Sequence, residues 1–572
     1  MRYLATFSGV FFLIIVTMQA ISAQSTYMPL QNAESYHTLD RIAIKNDSLH
    51  NYFASTQKPY TRLQAVLAAE TMNDHLNARY RAADRQNQFY IFKDNNEWAD
   101  WGLVESKKPW FKRFYKYQPD FFYAKSYTDY LVKLNPLLHF EIGKDLNYEG
   151  LRMVNKRGLA LRGMVGNQIG FETQITETQA IFPDYLHQKI NNERAIPGEG
   201  RFKFYQSRVG GDNLFAPGVD YLSAAGSIAW KPLVRVHLQF GHGKNFIGNG
   251  IRSLFLSDEA APYLFFRINT DFWRIHYQNL FMELTGQFNP YPDGLTPKKY
   301  AALHHLSLNL GKRANIGLFE GVVFGRTHGF ELQYLNPIIF YRSVEYHLGS
   351  PDNVMLGADF TFNFLRHGQF YTQIFIDEFS FDQLNTGWWG NKHGIQAGLK
   401  WINIAGITNF DGQVEYNRVR PYTYTHNSVE GNYTHYNQPL AHPLGANFAE
   451  WLLQLQYKPT KKWTIAAQWQ YYKQGIDNVT DSTNVGSNIF LPNSLVPVNN
   501  PYNNKLLQGT LTRVMNTQLT ITYMPRHNWF FDVVYQTRQY NYPKNQLILV
   551  KPATSYLAVA MRLNVFRRHW SV

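Results

Sequence analysis

The sequence predicts an all-β protein, a transmembrane antiparallel β-barrel of about eighteen strands with a small helical module at its N-terminus. Three observations carry this. First, from near Leu137 almost to the end, short runs alternate apolar and polar residues, as in Leu557, Val559, Met561, Leu563 and Val565 against Ala558, Ala560, Arg562 and Asn564. A strand repeats every two residues, so each run has one greasy face and one wet face. Second, tight turns and long loops join the runs in strict alternation, the rhythm of a barrel with lipid outside and a polar lumen. Third, hydrophobic residues make up 45% of the 572 and aromatics 16%, yet mean hydropathy is only −0.37. No stretch beyond the N-terminus is apolar enough to span a bilayer as a helix. The 38 Tyr, 41 Phe and 13 Trp suit aromatic girdles at two membrane interfaces.

The elements follow in order. Arg2, the apolar run Val10 to Val16, and Ile21-Ser22-Ala23 before Gln24 form a secretory signal peptide over residues 1–23. Residues 24–130 read as a helical module, periplasmic or plugging the barrel mouth. After Pro59, Leu63, Val66, Leu67, Met72, Leu76 and Tyr80 recur at three- and four-residue spacing. Phe89 to Tyr130, with several Trp and Tyr, is the crossing into a barrel that occupies 131–572. Hairpins then turn at Gly166-Asn167-Gln168, Lys231-Pro232, Gly311-Lys312-Arg313, Pro459-Thr460-Lys461-Lys462 and Pro525-Arg526-His527-Asn528. Each carries the residues that tight turns need. Long loops lie between, roughly 177–220, 244–262, 286–302, 325–353, 380–392, 420–448, 474–509 and 540–553. In outer-membrane barrels the tight turns face the periplasm. Both termini are therefore expected in the periplasm, and the long loops at the cell surface.

Composition and spacing exclude several chemistries. With no Cys there is no disulfide scaffold, thiolate metal site, Cys nucleophile or lipidated N-terminal Cys. Asp377 and Glu378 are adjacent in a strand and point to opposite faces, so they cannot form one acid/base pair. His304-His305, His435 and His442 lack a compact metal-ligand spacing. The segment FGHGKNFIGNGIRSLFLSD, Phe240 to Asp258, has neither the dinucleotide spacing nor a Gly-Lys-Ser/Thr ending, and no helix follows it. Its glycines suit a strand end that bends and tucks a loop into the lumen. The reading is a non-enzyme without cofactor or metal. The net charge of +14 is carried partly by turns such as Lys461-Lys462 and by Arg567-Arg568. The plainer reading of this charge is solvated turns and loops, and the sharper one is attraction to anionic partners, lipopolysaccharide phosphates or an acidic surface polysaccharide; an exported chain with no basic helix is not read as a nucleic-acid binder.

Three more loop segments, Asn336 to Asn353, Asp377 to Lys392 and Glu415 to Phe448, share the outer end with the first and concentrate Tyr, Trp, His, Arg, Asn and Asp. Aromatic faces stack on the C–H faces of sugar rings, while amides and guanidinium groups bond hydroxyls or uronates. The candidate polysaccharide contacts are Arg252, Arg342, Trp388, Trp389, Arg418, Arg420, Tyr422, Tyr424 and His442. Arg418 and Arg420 are two apart in an extended run and share a face, beside Tyr422 and Tyr424. The plainer alternative makes Arg252, Asp258, Arg342, Glu345, Asp377 and Glu378 lumenal ion pairs that brace loops against the wall.

The segments GHGKNFIGNGIRSLFLSD, ELQYLNPIIFYRSVEYHLGSPDN, and EYNRVRPYTY with NYTHYNQPLAHPLGANF carry a resemblance. Through them the block from about Asn135 to Phe566 resembles the Wzi-type capsule assembly family, in the branch that includes gliding-motility outer-membrane proteins. The resemblance implies an eighteen-stranded outer-membrane barrel with helices at its periplasmic mouth. It also implies a non-catalytic role in attaching or organising surface polysaccharide. The other expectation is an interaction component of the gliding or protein-secretion machinery, contacting other outer-membrane proteins.

Overall fold

The computed structural model describes residues 25–50, 53–72, 80–99, 102–107, 109–126, 129–147, 150–166, 168–205, 218–287, 295–326, 329–349, 352–477, 484–493, 501–542 and 553–568. The signal peptide and Leu76 of the helical pattern lie outside them. Among the described residues, eighteen strands close one antiparallel barrel. They are β1 (Tyr130–Asp145), β2 (Leu151–Val165), β3 (Ile169–Ile181), β4 (Gly218–Leu233), β5 (Val236–Gly243), β6 (Tyr263–Phe272), β7 (Ile275–Thr285), β8 (Lys298–Leu310) and β9 (Ala314–Phe324). The second half is β10 (Asn353–Phe364), β11 (Gly368–Glu378), β12 (Lys392–Trp401), β13 (Phe410–Val419), β14 (Phe448–Thr460), β15 (Trp463–Ile476), β16 (Thr510–Arg526), β17 (Trp529–Asn541) and β18 (Ala553–Leu563). Each pairs with the next, and β18 returns to β1 through Tyr556↔Asp145 to Leu563↔Leu138.

The alternation read from sequence is the inside–outside pattern of the wall. In β18, Leu557 and Val559 are 45% and 52% exposed, while Ala558, Ala560 and Arg562 are at most 7% exposed. Exposed Phe272, Trp273 and Trp463 ring the tight-turn end, as an interfacial girdle does. One hairpin differs from expectation. Lys231 and Pro232 belong to β4, and the turn falls at Val234-Arg235. The ladder between β4 and β5 slips between Val236 and Leu238, and such an irregularity tolerates a proline that has no N–H to donate.

Three helices close the tight-turn end: α1 (Ala33–Asn46), α2 (Arg62–Glu70) and α3 (Ala82–Asp94). Asn32 caps α1 by accepting from the Ser35 amide, and Thr61 with Gln64 forms a capping box on α2. Their inner faces share a core that includes Leu39, Ile42, Val66 and Ile91. They dock on the turns of the wall. The Leu49 amide donates to Lys312 O at 2.7 Å, Asn363 Nδ2 to Ala43 O at 3.2 Å, and Tyr90 Oη to Asn528 Oδ1 at 2.7 Å.

From the opposite end, residues 244–262 and 420–447 fold inward. Leu254, Phe255, Tyr424, Tyr433 and Leu440 join wall residues Leu280, Leu303, Phe319 and Phe375 in one lumenal core. The glycine-rich bend requires its glycine at Gly248, where φ is +152° and a Cβ would sit 2.8 Å from Gln373 Nε2. Inside the lumen Gln57–Lys58 pairs antiparallel with Phe246–Ile247, so the N-terminal segment and the inturned loop meet. A further helix, α4 (Asp184–Glu193), also turns into the lumen at the long-loop end, with Leu186 and Ile190 against Val219 and Tyr221.

The loop between β9 and β10 takes the other course. It carries α5 (Tyr341–Leu348), and its Tyr334, Tyr341 and Val344 pack on Phe281, Tyr300, Ala302, Val322 and Phe324. Those wall residues alternate with the lumenal ones, so the segment lies against the outside of the barrel. Arg342 and Glu345 do pair, at 2.8 Å, but on the outer wall rather than in the lumen as expected.

Candidate functional site

The nine candidate contacts separate into enclosed and accessible groups. Arg252 is buried and bonds Glu259 at 2.7 Å, while its amide donates to Glu415 at 3.0 Å. His442 is fully buried, 2.8 Å from Glu450 and stacked on Phe448 at 4.3 Å. Burial pushes its pKa down, against the pull of Glu450. Burial likewise pushes His435 in the same loop down to about 3, which leaves its imidazole neutral. Tyr422 donates to Asn484 O at 2.9 Å and Tyr424 to Leu254 O at 3.0 Å, both buried. Arg252, Tyr422, Tyr424 and His442 are thus parts of the scaffold that folds loops into the lumen, not open sugar contacts. The plainer ion-pair reading holds for Arg252 and for Glu378, which meets Lys392 at 3.1 Å, while Asp377 accepts the Tyr424 amide at 2.7 Å.

The others reach the surface. Trp388 and Trp389 are half-buried, 6.0 Å apart, and Trp389 lies 6.1 Å from Tyr422. Arg420 donates to Asn504 O at 3.3 Å. Arg418 is exposed and points away from the lumen, in step with Tyr416, whose ring packs at a tilt against exposed Trp451 at 4.7 Å. Arg342 stands on the outer wall, on α5.

A cleft that none of these residues line lies in the lumen at the long-loop end, with a volume of about 330 Å³. One wall is α4: Tyr185, Gln188, Lys189 and Asn192 fall at helical spacing on the face opposite its packed Leu186 and Ile190. The other walls are Tyr472 and Gln474 from β15, Arg538 and Tyr540 from β17, and Asn488 and Phe490 from the loop after β15. Gln474 Nε2 donates to Leu444 O at 2.8 Å, and Gln536 Nε2 to Tyr185 Oη at 3.0 Å, so the floor is braced. Arg538, 7% exposed, is sandwiched between Tyr185 and Tyr540, with ring centroids 4.9 and 5.4 Å from its guanidinium carbon. Its Nε has no hydrogen-bond partner, and no carboxylate among the described residues pairs with it. The cleft offers aromatic faces, amides, the Lys189–Glu193 ion pair at 2.6 Å and one cation, Arg538, without a carboxylate among the described residues, with a volume near the lower end of the ~300–1,000 Å³ usual for small-ligand sites.

Sequence reasoning placed no contact here, although the parity was readable. Phe531, Val533 and Tyr535 face lipid, which sends Gln536 and Arg538 inward. The partners come from far along the chain, so the enclosure itself had no local signal.

The family model for the capsule assembly protein Wzi matches residues 231–546, more than half of the chain. The chain belongs to the Wzi capsule-assembly family. The Wzi region spans β5 to β17 and therefore all of the cleft except α4. Among solved structures, the chain is similar to Wzi from Escherichia coli, described as a carbohydrate-binding β-barrel involved in group 1 capsule assembly. The TM-score is 0.55 at 13% identity, covering 93% of this chain and 98% of that one. The fold therefore matches Wzi over nearly its whole length. OprD of Pseudomonas aeruginosa also aligns, with a TM-score of 0.39 and 12% identity over 75% of this chain and 94% of that one. No protein of curated function matches the sequence.

Proposed function

We propose that this Wzi-family barrel binds and organises surface polysaccharide, without catalysis, from the outer membrane. In this reading the tight-turn end and both termini face the periplasm, the long loops face the cell surface, and Arg418 meets lipopolysaccharide phosphates. The observation that carries it is the cleft around Arg538. A buried guanidinium normally has a carboxylate. Here aromatic rings and amides surround one that has no carboxylate among the described residues, which suits a uronate or another acidic sugar. Trp388, Trp389 and Arg420 supply a second, shallower patch along which a longer glycan chain continues. The description of Escherichia coli Wzi as carbohydrate-binding supports the same assignment.

The test is binding of the detergent-purified barrel to surface polysaccharide from its own host, with the neutral fraction as comparison, alongside the surface coat of a deletion strain. The expected result is saturable binding of the acidic polysaccharide and a coat shed into the medium. A folded barrel that binds neither fraction, with an unaltered coat on deletion, contradicts the proposal.

A further inference from the structure

The cleft around Arg538 is closed on four sides and below. α4 stands against β17 through Arg538, whose guanidinium carbon lies 4.9 Å from the Tyr185 ring. At its other end α4 meets the inturned loop, where Asn437 Nδ2 donates to Glu193 O at 3.0 Å. That loop supplies the third side, with Pro439 and Pro443 to Gly445. Gln474 Nε2 ties it to β15, donating to Leu444 O at 2.8 Å and to Ala446 O at 3.1 Å. Residues 487–490 form the fourth side, so close to the third that a Cβ at Gly445 would lie 3.1 Å from Ile489 Cγ2. The floor is the hydrogen bond from Gln536 Nε2 to Tyr185 Oη. The cavity beneath it, about 80 Å³, is far below the ~300 Å³ at which small-ligand sites begin.

Exposure falls from the outer end inward. Asn192 and Asn488 are exposed at the rim, while Tyr185, Tyr472 and Arg538 are 4%, 5% and 7% exposed at the bottom. Two elements measure the depth. From Tyr185 to Asn192 α4 rises by about 10 Å, at ~1.5 Å per residue. From Gln536 to Tyr540 β17 rises by roughly 10 Å, at ~3.4 Å per residue and a tilt of ~40°. Arg152 of β2 pins the start of α4 by bonding Asp184 at 2.8 Å, which holds the helix at that height.

A blind cleft of this depth discriminates by position in a glycan. A sugar within a chain carries two glycosidic bonds, so both arms of the chain would have to leave through one mouth. That asks two strands of glycan to share a cleft at the lower end of the small-ligand range. A terminal sugar carries one such bond and can point it outward. We propose that the cleft takes a terminal acidic sugar, with its carboxylate on Arg538 and its ring against Tyr185, Tyr472 or Tyr540, and rejects the same sugar within a chain. Outside the mouth the glycan passes residues 484–490 towards Trp389. There Gly486 O accepts the Tyr422 amide at 2.8 Å, and Trp389 lies 6.1 Å from Tyr422. The inference rests on the polysaccharide reading of the cleft and names the kind of sugar it selects.

The test uses the full-length wild-type barrel in detergent and fragments cut from its host's acidic polysaccharide. The fragments are sorted into those that end in the acidic sugar and those in which it is flanked on both sides. Tip fragments are expected to displace labelled whole polysaccharide at a concentration at least ~10-fold lower, the size of one charge-assisted contact. Arg538→Gln, or reduction of the sugar carboxyl to the alcohol, is expected to erase that advantage. The number of barrels bound per polysaccharide chain separates the two sources of such a sugar: it stays constant with chain length for chain ends and grows with length for branch tips. Equal displacement by the two sets, or an advantage for the flanked set, overturns the inference and leaves the polysaccharide reading standing. Displacement by neither set, with no binding of the whole polysaccharide, overturns both.

Discussion

Arg41 at the tight-turn end and Arg538 at the long-loop end are both more than nine-tenths buried in the same lumen, yet their surroundings are opposite. Arg41 joins α1 to the wall: it bonds Asp411, reaches Asp84 at 3.0 Å, and meets Asn403 at 3.2 Å. Lys45 adds a second cation on Asp84, and Lys400 bonds Asp40 at 2.7 Å. Each of these charges is neutralised within the protein. Among the described residues, Arg538 meets aromatic faces beside an open cleft and no carboxylate. The difference separates two uses of buried charge. A saturated ion pair fixes one element against another, and in the function proposed above a cation without its anion beside an accessible cleft takes one from outside.

Substitutions at the two ends test this contrast. The largest effect is expected from Arg41→Ala, which leaves Asp411 without its arginine. Breaking a buried pair costs about 3–5 kcal/mol. Hydrogen exchange over residues 33–94 should rise steeply, while polysaccharide binding by the barrel stays intact. If exchange is unaltered, the ion pairs do not hold the helices in place.

Arg538→Gln is expected to do the reverse. Charge-assisted hydrogen bonds contribute about 1.5–3 kcal/mol, so affinity for an acidic polysaccharide should fall ~10–100-fold while thermal stability barely changes. A drop in stability without loss of affinity would make Arg538 structural after all. Tyr540→Ala should act more mildly, ~2–10-fold, because an aromatic contact adds about 0.5–1.5 kcal/mol, with Tyr540→Phe close to wild type. The smallest effect belongs to Arg418→Gln with Arg420→Gln. Exposed charges contribute about 0–1 kcal/mol, so affinity should change less than ~5-fold and heat-modifiable gel migration should be unaltered. If this pair outweighs Arg538, the binding face is the loop edge and not the cleft.

Much of the fold was legible because a lipid-facing wall imposes a two-residue period, and because turns need particular residues. Gly311 adopts a φ of +79° and Asn528 one of +56° at turns read directly from sequence. The turn after β4 was misplaced because a proline near a ladder slip looks like a turn. The course of 330–349 was not legible, since Tyr, Ile, Leu and Arg suit a filled lumen and an outer wall equally. The candidate contacts were chosen by residue type. Type alone cannot tell His442, stacked on Phe448 against Glu450, from an open ligand. Arg538 was readable as inward-facing, but its lack of a carboxylate depends on α4, which lies hundreds of residues earlier in the chain.

The most direct test of the central claim is a structure of the barrel bound to an acidic oligosaccharide cut from its host's surface polysaccharide. The account predicts a sugar carboxylate within hydrogen-bond distance of the Arg538 guanidinium, with a ring stacked on Tyr185, Tyr472 or Tyr540. An oligosaccharide bound elsewhere, with the cleft around Arg538 empty, would contradict it.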